Sequence, residues 1–208
     1  MNSLRFTLLS DGSSDRVLLP MLEWLLGECS SRTFQPQWAD LRMLPSPPKT
    51  LAERVQTAVE IYPCDLLFIH RDAEREPREV RVREIRQQIS TLAAPAICIV
   101  PVRMQEAWLL FDEKALRRAA GNPNGRTVLT LPDLDEIEQI PDPKELVHGM
   151  LRQASELPSR RLRRFNPAVA IHRLAELIDD FSPLRGLPAF QALESDVRTL
   201  LVERSWEE

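Results

Sequence analysis

The stretch Leu66-Leu67-Phe68-Ile69, running without a break into His70-Arg71-Asp72-Ala73-Glu74, decides the fold. It is fully apolar and then abruptly charged, which reads as a strand buried on both faces that delivers polar groups at its carboxyl end. Working outward, the same design recurs twice. Leu4 to Leu9 is a mostly apolar run ending in Ser10-Asp11-Gly12-Ser13-Ser14-Asp15, and Ala96 to Val102 is continuously apolar. Helical patterns separate the strands. Leu18, Met21, Leu22, Leu25 and Leu26 repeat at i, i+3, i+4, i+7 and i+8, Leu51, Val55, Ala58 and Val59 mark a second helix, and a charged helix is expected from about Pro77 to Leu92. A further strand is expected at Trp38 to Leu44, stopped by Pro45, Pro47 and Pro48. Doubly buried strands alternating with helices predict an α/β fold with a parallel sheet flanked by helices.

Beyond Met104 the pattern turns helical. Glu106 to Arg118 reads as one or two helical segments, Thr127 to Thr130 as a short extra strand, and Leu146/Met150/Ala154, Ile171/Leu174/Ala175/Ile178 and Phe190/Leu193/Val197/Leu200/Leu201 as helix faces. The expected division is an α/β domain over residues 1–118 and a mostly helical C-terminal extension over 119–208, packed on it. At 208 residues, 43% hydrophobic and 28% charged, the chain has the composition of an ordinary soluble protein, and a net charge of −4 confines any nucleic-acid binding to a local patch. Seventeen prolines against six glycines imply stiff connections. Cys29, Cys64 and Cys98 form no CxxC pair, so a disulfide scaffold or thiolate zinc site is not indicated, and Cys98 reads as core. No basic-then-apolar leader opens the chain, and the longest apolar stretch, Val17 to Leu26, contains Glu23 and is too short for a bilayer. A cytoplasmic protein without membrane contact is expected.

Ligands of open parallel sheets bind beyond the carboxyl ends of the strands, where strand order reverses. Two such ends carry acids here: Asp11, followed by Gly12 and Asp15, and Asp72 with Glu74. An Asp-x-Glu at a strand end aims two carboxylates the same way, because alternate side chains share a face. Convergent carboxylates repel unless a hard cation joins them, and Mg²⁺ (or Mn²⁺) suits a few carboxylates while keeping water for a phosphate to displace. Gly12 would permit positive φ and a close ligand approach, with Ser13 and Ser14 opening a helix whose amides face a phosphate. There is neither a GxGxxG nor a Walker loop, and no GxSxG elbow.

With these residues the sequence resembles the TOPRIM fold, the metal-binding domain of topoisomerases, primases and the overcoming-lysogenisation-defect nucleases. Asp11-Gly12 matches the first acidic motif, with aspartate in place of the usual glutamate. The later Asp-x-Asp motif matches either Asp72-x-Glu74 or, in stricter register, His70-x-Asp72. Val100-Pro101-Val102-Arg103-Met104-Gln105-Glu106-Ala107-Trp108-Leu109-Leu110-Phe111-Asp112 is similar to a signature of a narrower TOPRIM-like family, often encoded beside ABC-type ATPases in bacterial defence loci. The resemblance spans about residues 4–118. It implies a Mg²⁺-dependent nuclease or phosphodiester-processing enzyme with an ATPase partner, Asp11, Asp72 and Glu74 being catalytic and Glu106 a further metal ligand. It also admits a non-catalytic adaptor that docks on the ATPase. A phosphatase or nucleotidyl-transfer enzyme with the same acids is a third reading.

Arg160-Arg161-Leu162-Arg163-Arg164 places four guanidiniums within five residues, a pattern that neutralises phosphates without reading sequence. Between Arg71 and Arg86, six arginines alternate with glutamates, as on a salt-bridged helix, although Arg71 and Arg75 border the expected site as phosphate clamps. His148 and His172 have no evident partners, and Trp108 reads as core.

Overall fold

A computed structural model describes residues 3–90, 92 and 94–207. Met1, Asn2, Ala93 and Glu208, and Thr91 within the stretch expected to finish the charged helix, lie outside the described residues. The chain forms four parallel strands, β1 (Leu4–Leu9), β2 (Phe34–Trp38), β3 (Leu66–His70) and β4 (Ala96–Ile99), in the order β2-β1-β3-β4. The helices are α1 (Leu18–Cys29), α2 (Leu51–Ile61), α3 (Arg78–Ile89), α4 (Glu113–Ala119), α5 (Pro143–Ser155), α6 (Ser159–Leu162), α7 (Pro167–Leu177) and α8 (Pro188–Arg204). The expected α/β class with a parallel sheet is what the chain adopts, and it is consistent with a TOPRIM-like fold.

Alternation along the strands divides the core in two. Phe6, Leu8, Leu66, Phe68, Ile97 and Ile99 face α1 and the helices beyond residue 113, in one buried cluster with Trp108, Leu116, Leu151, Leu174 and Phe190. Leu9, Leu67, Ile69 and Cys98 face the opposite way, against Val55 and Ala58 of α2 and Ile85 of α3. Both layers are apolar because helices cover both faces, which explains the unbroken runs in the sequence. Phe6 and Phe68 meet edge-to-face with centroids 5.6 Å apart, locking β1 to β3. Trp108 is core as expected, its ring edge-on to Phe190 at 5.6 Å.

Three strand expectations are corrected. The second strand occupies Phe34–Trp38 rather than Trp38 to Leu44, where a short 3₁₀ turn at Leu41–Met43 follows instead. It pairs only with β1, and an edge strand tolerates Pro36 and exposed glutamine. Residues 127–130 form no strand, because the Arg126 and Thr127 amides donate to the Glu156 carboxylate, at 2.5 and 2.6 Å, instead of to a neighbouring strand. β4 ends at Ile99, three residues short of Val102. Among the described residues no helix is long and apolar enough to cross a membrane.

Candidate functional site

Strand order reverses between β1 and β3: the chain goes from β1 out to β2, then returns to the other side of β1. The crevice beyond these two carboxyl ends is therefore the place where this topology presents ligands. Three segments reach it: the turn after β1, the segment after β3, and the 3₁₀ turn at Gln105–Leu109 beyond β4.

After β1 the backbone is folded by its own side chains. The Gly12 amide donates to Asp15 Oδ2 at 2.8 Å and the Ser14 hydroxyl to Oδ1 at 3.1 Å, so the Asp15 carboxylate caps the turn from inside. Asp15 is buried, 5% exposed. Gly12 is extended, with φ −135° and ψ 169°, and a Cβ there would meet only ordinary contacts. Left-handed geometry is thus not why glycine stands at this position. Ser13 is exposed, and the Ser13–Val17 turn has no side-chain cap on its first amides.

After β3 the pairing with the β4 segment continues through Ala73, whose amide donates to Pro101 O at 3.2 Å. Alternation holds that far, so His70 and Asp72 share a face, and His70 Nε2 lies 3.4 Å from Asp72 Oδ1. Glu74 then turns left-handed, at φ 54°, and is exposed. The Asp-x-Glu expectation is corrected for this reason, and the geometry follows the His70-x-Asp72 register.

The Gln105–Leu109 turn joins the first two segments. The Gln105 amide donates to Asp72 Oδ1 at 3.0 Å, while its side-chain Nε2 donates to Asp15 Oδ1 at 3.0 Å. The next residue, Glu106, is 1% exposed. Its Oε1 lies 3.4 Å from Lys144 Nζ on α5, and its Oε2 is buried without a hydrogen-bond partner. Gln105 therefore bridges Asp72 and Asp15, next in sequence to the buried Glu106. Burial first, then the charges of Glu106 and Asp15, push the Asp72 carboxyl up to about 8. Burial holds the His70 imidazole below its usual range. Its Nδ1, 3.2 Å from the Ile99 carbonyl, must be the donor there, since a carbonyl only accepts. That leaves the Nε2 lone pair facing Asp72, a further reason for Asp72 to keep a proton.

Asp11 does not join this group. Its side chain is half exposed, ion-paired with Arg54 of α2 and lying 3.7 Å from Arg71 Nε. Arg71 also holds Glu84 at 2.8 Å. Arg75 is exposed and lines a cavity of about 510 Å³ with Glu74, Arg81 and Arg103. Arg160, Arg161, Arg163 and Arg164 are all exposed on α6 and the turn after it, with no ion pair or side-chain hydrogen bond among the described residues.

The expected set of Asp11, Asp72, Glu74 and Glu106 is thus not gathered. Among the described residues no three His, Cys, Asp or Glu side chains stand at spacing ready to hold a metal. Gln105 and Lys144 are participants that the sequence did not point to, whereas Asp15 and His70 stood among the residues of the expected strand ends. The signal for Gln105 was its place in the Gln-Glu pair that follows the last apolar strand run. No family model matches the chain, and no curated protein or solved structure matches it.

Proposed function

We propose that this protein is a TOPRIM-like, Mg²⁺- or Mn²⁺-dependent nuclease or phosphodiester-processing enzyme of the bacterial cytoplasm, acting in antiviral defence with an ABC-type ATPase partner. The observation that carries the chemistry is the unpartnered, buried Glu106 Oε2, on a side chain whose charge acts on Asp72. The charge of Glu106 bears on Asp72, and Lys144 pairs with Glu106 alone, which leaves these acids short of positive charge. Mg²⁺ is held by one or two carboxylates and its own waters, so an all-oxygen pair such as Asp72 and Glu106 suits it better than Zn²⁺, which takes nitrogen and sulfur ligands. Asp72 and Glu106 would hold the ion, which supplies charge stabilisation at a phosphodiester. Asp15 shapes the turn and orients Gln105. Arg54 and Arg71, now on Asp11, are within the same rim to meet a phosphate. The unpaired arginines at 160, 161, 163 and 164 support a nucleic-acid substrate, because they offer phosphate contacts that no internal acid occupies.

The test is cleavage of single- and double-stranded DNA and RNA with Mg²⁺ or Mn²⁺, with and without a co-purified ATPase. Asp72→Asn and Glu106→Gln should abolish cutting while circular dichroism and elution volume stay as in the wild type. Cutting at the wild-type rate by both variants removes these acids from the mechanism. One observation favours a second reading, the non-catalytic adaptor: Asp11, the counterpart of the family's first acid, is neutralised by two arginines. Tight ATPase binding without any response to millimolar Mg²⁺ or Mn²⁺ would select it.

A further inference from the structure

Next to the acids, at the carboxyl ends of β1 and β2, lies a second cavity of about 200 Å³, walled by Trp38, Pro47 and Pro48 and lined by Arg42, Lys49 and Arg54. Its cations are fixed in different ways. The Arg42 guanidinium stacks on the Trp38 ring at 5.1 Å while bonding Asp40 through both Nε and NH2, at 2.8 and 2.9 Å. Arg16 also stacks on Trp38, at 5.3 Å, and the indole is itself anchored by donating to Ser10 Oγ at 3.1 Å. Arg54 reaches from α2 to the Ser10 carbonyl and Asp11. Lys49 has no carboxylate partner for its ammonium among the described residues and is exposed. The amides at the start of α2 are already used: those of Lys49 and Thr50 donate to Glu53 Oε2 at 2.9 and 3.0 Å. Any anion here must therefore be recognised by side chains.

We infer that this cavity seats a backbone phosphate of a nucleic-acid strand, one or more nucleotides away from the phosphodiester that reaches the acids. The inference rests on the phosphodiester reading above and names the path of the strand. Asp11 is common to the cavity and to the rim beside Arg71, so a strand crossing the end of β1 passes from one to the other. Stacking on Trp38 holds the Arg42 guanidinium in place before the ligand arrives, which lowers the ordering needed on binding. Lys49 supplies the unneutralised charge, and Arg54 can transfer a donor from Asp11 to a phosphate oxygen.

The test is fluorescence anisotropy of a short, fluorescein-labelled single-stranded oligonucleotide, in EDTA so that binding is read apart from any metal. For the wild type, log K should fall linearly with log salt. Lys49→Ala and Arg42→Ala, both in the cavity lining, should each lower affinity several-fold and reduce the slope by about one, as the loss of one phosphate contact does. Arg204→Ala, at the far end of α8, should change neither. Absence of wild-type binding overturns the inference. So does an unchanged slope in both cavity variants, or a mononucleotide that competes as well as the oligonucleotide. Cleavage by the wild type together with an unchanged slope in Lys49→Ala and Arg42→Ala refutes this subsite and leaves the enzyme. A lost slope without cleavage under any divalent ion keeps the subsite and refutes the enzyme.

Discussion

Replacing Asp72 by Asn should make the metal-free protein more stable, and increasingly so as pH rises. Asp72 is only 20% exposed at its side chain, faces Glu106 and Asp15, and has its carboxyl pushed from 3.8 to about 8. Below about pH 4 the native and unfolded chains both hold this proton. Between about 4 and about 8 the native chain keeps a proton that the unfolded chain has released, so rising pH weakens the fold; above about 8 the loss is complete. At 1.36 kcal/mol per pH unit the bound is about 6 kcal/mol, and relaxation of the partly wet site brings the expected loss to about 2–3 kcal/mol. Asn has the same shape and no charge to place, so it escapes the whole of this term. In urea or thermal melts with EDTA, Asp72→Asn should match the wild type near pH 4 and exceed it by about 2–3 kcal/mol at pH 9, or about 5–10 °C in Tm for a chain of this size. A difference that is flat with pH, or a variant less stable at pH 9, would refute the reasoning. Such an excess would also show that the site holds a destabilising group, as functional sites do.

Mg²⁺ binding should strengthen between pH 6 and pH 9, because the ion needs Asp72 ionised; calorimetry in buffers of different ionisation heat should find close to one proton released near pH 7, and zero release would place the ion elsewhere. Lys144→Met should destabilise the metal-free protein by about 1–2 kcal/mol, since it strips the buried Glu106 of its cation, and millimolar Mg²⁺ should recover most of that loss in a thermal melt. Phe68→Ala should cost about 3–5 kcal/mol in urea unfolding, because Phe68 is fully buried and joins β3 to β1 through Phe6.

The architecture was legible where burial is two-sided. Leu66–Ile69 and Ala96–Ile99 are apolar at every position because helices cover both faces, and α1, α5 and α7 show their buried faces at helical spacing. β2 was misplaced because an edge strand bearing Pro36 and two glutamines lacks the apolar run that identifies a central one. Within the site, Asp72 was legible as the acid at the end of the clearest strand. Glu74 misled because alternation ends where the chain turns left-handed, one residue after Ala73. Asp15 was legible as an acid of the turn after β1, but nothing near it in sequence shows that it is buried and receives Gln105 from ninety residues downstream. Asp11 differs because nothing in sequence spacing shows that Arg54, on another helix, will reach it.

The most direct measurement is the anomalous difference map of a crystal soaked in Mn²⁺. The account predicts a peak bonded to carboxylate oxygens of Asp72 and Glu106, at about 2.0–2.3 Å. A map with no peak there, or with manganese only at Asp11 or Glu74, would contradict it.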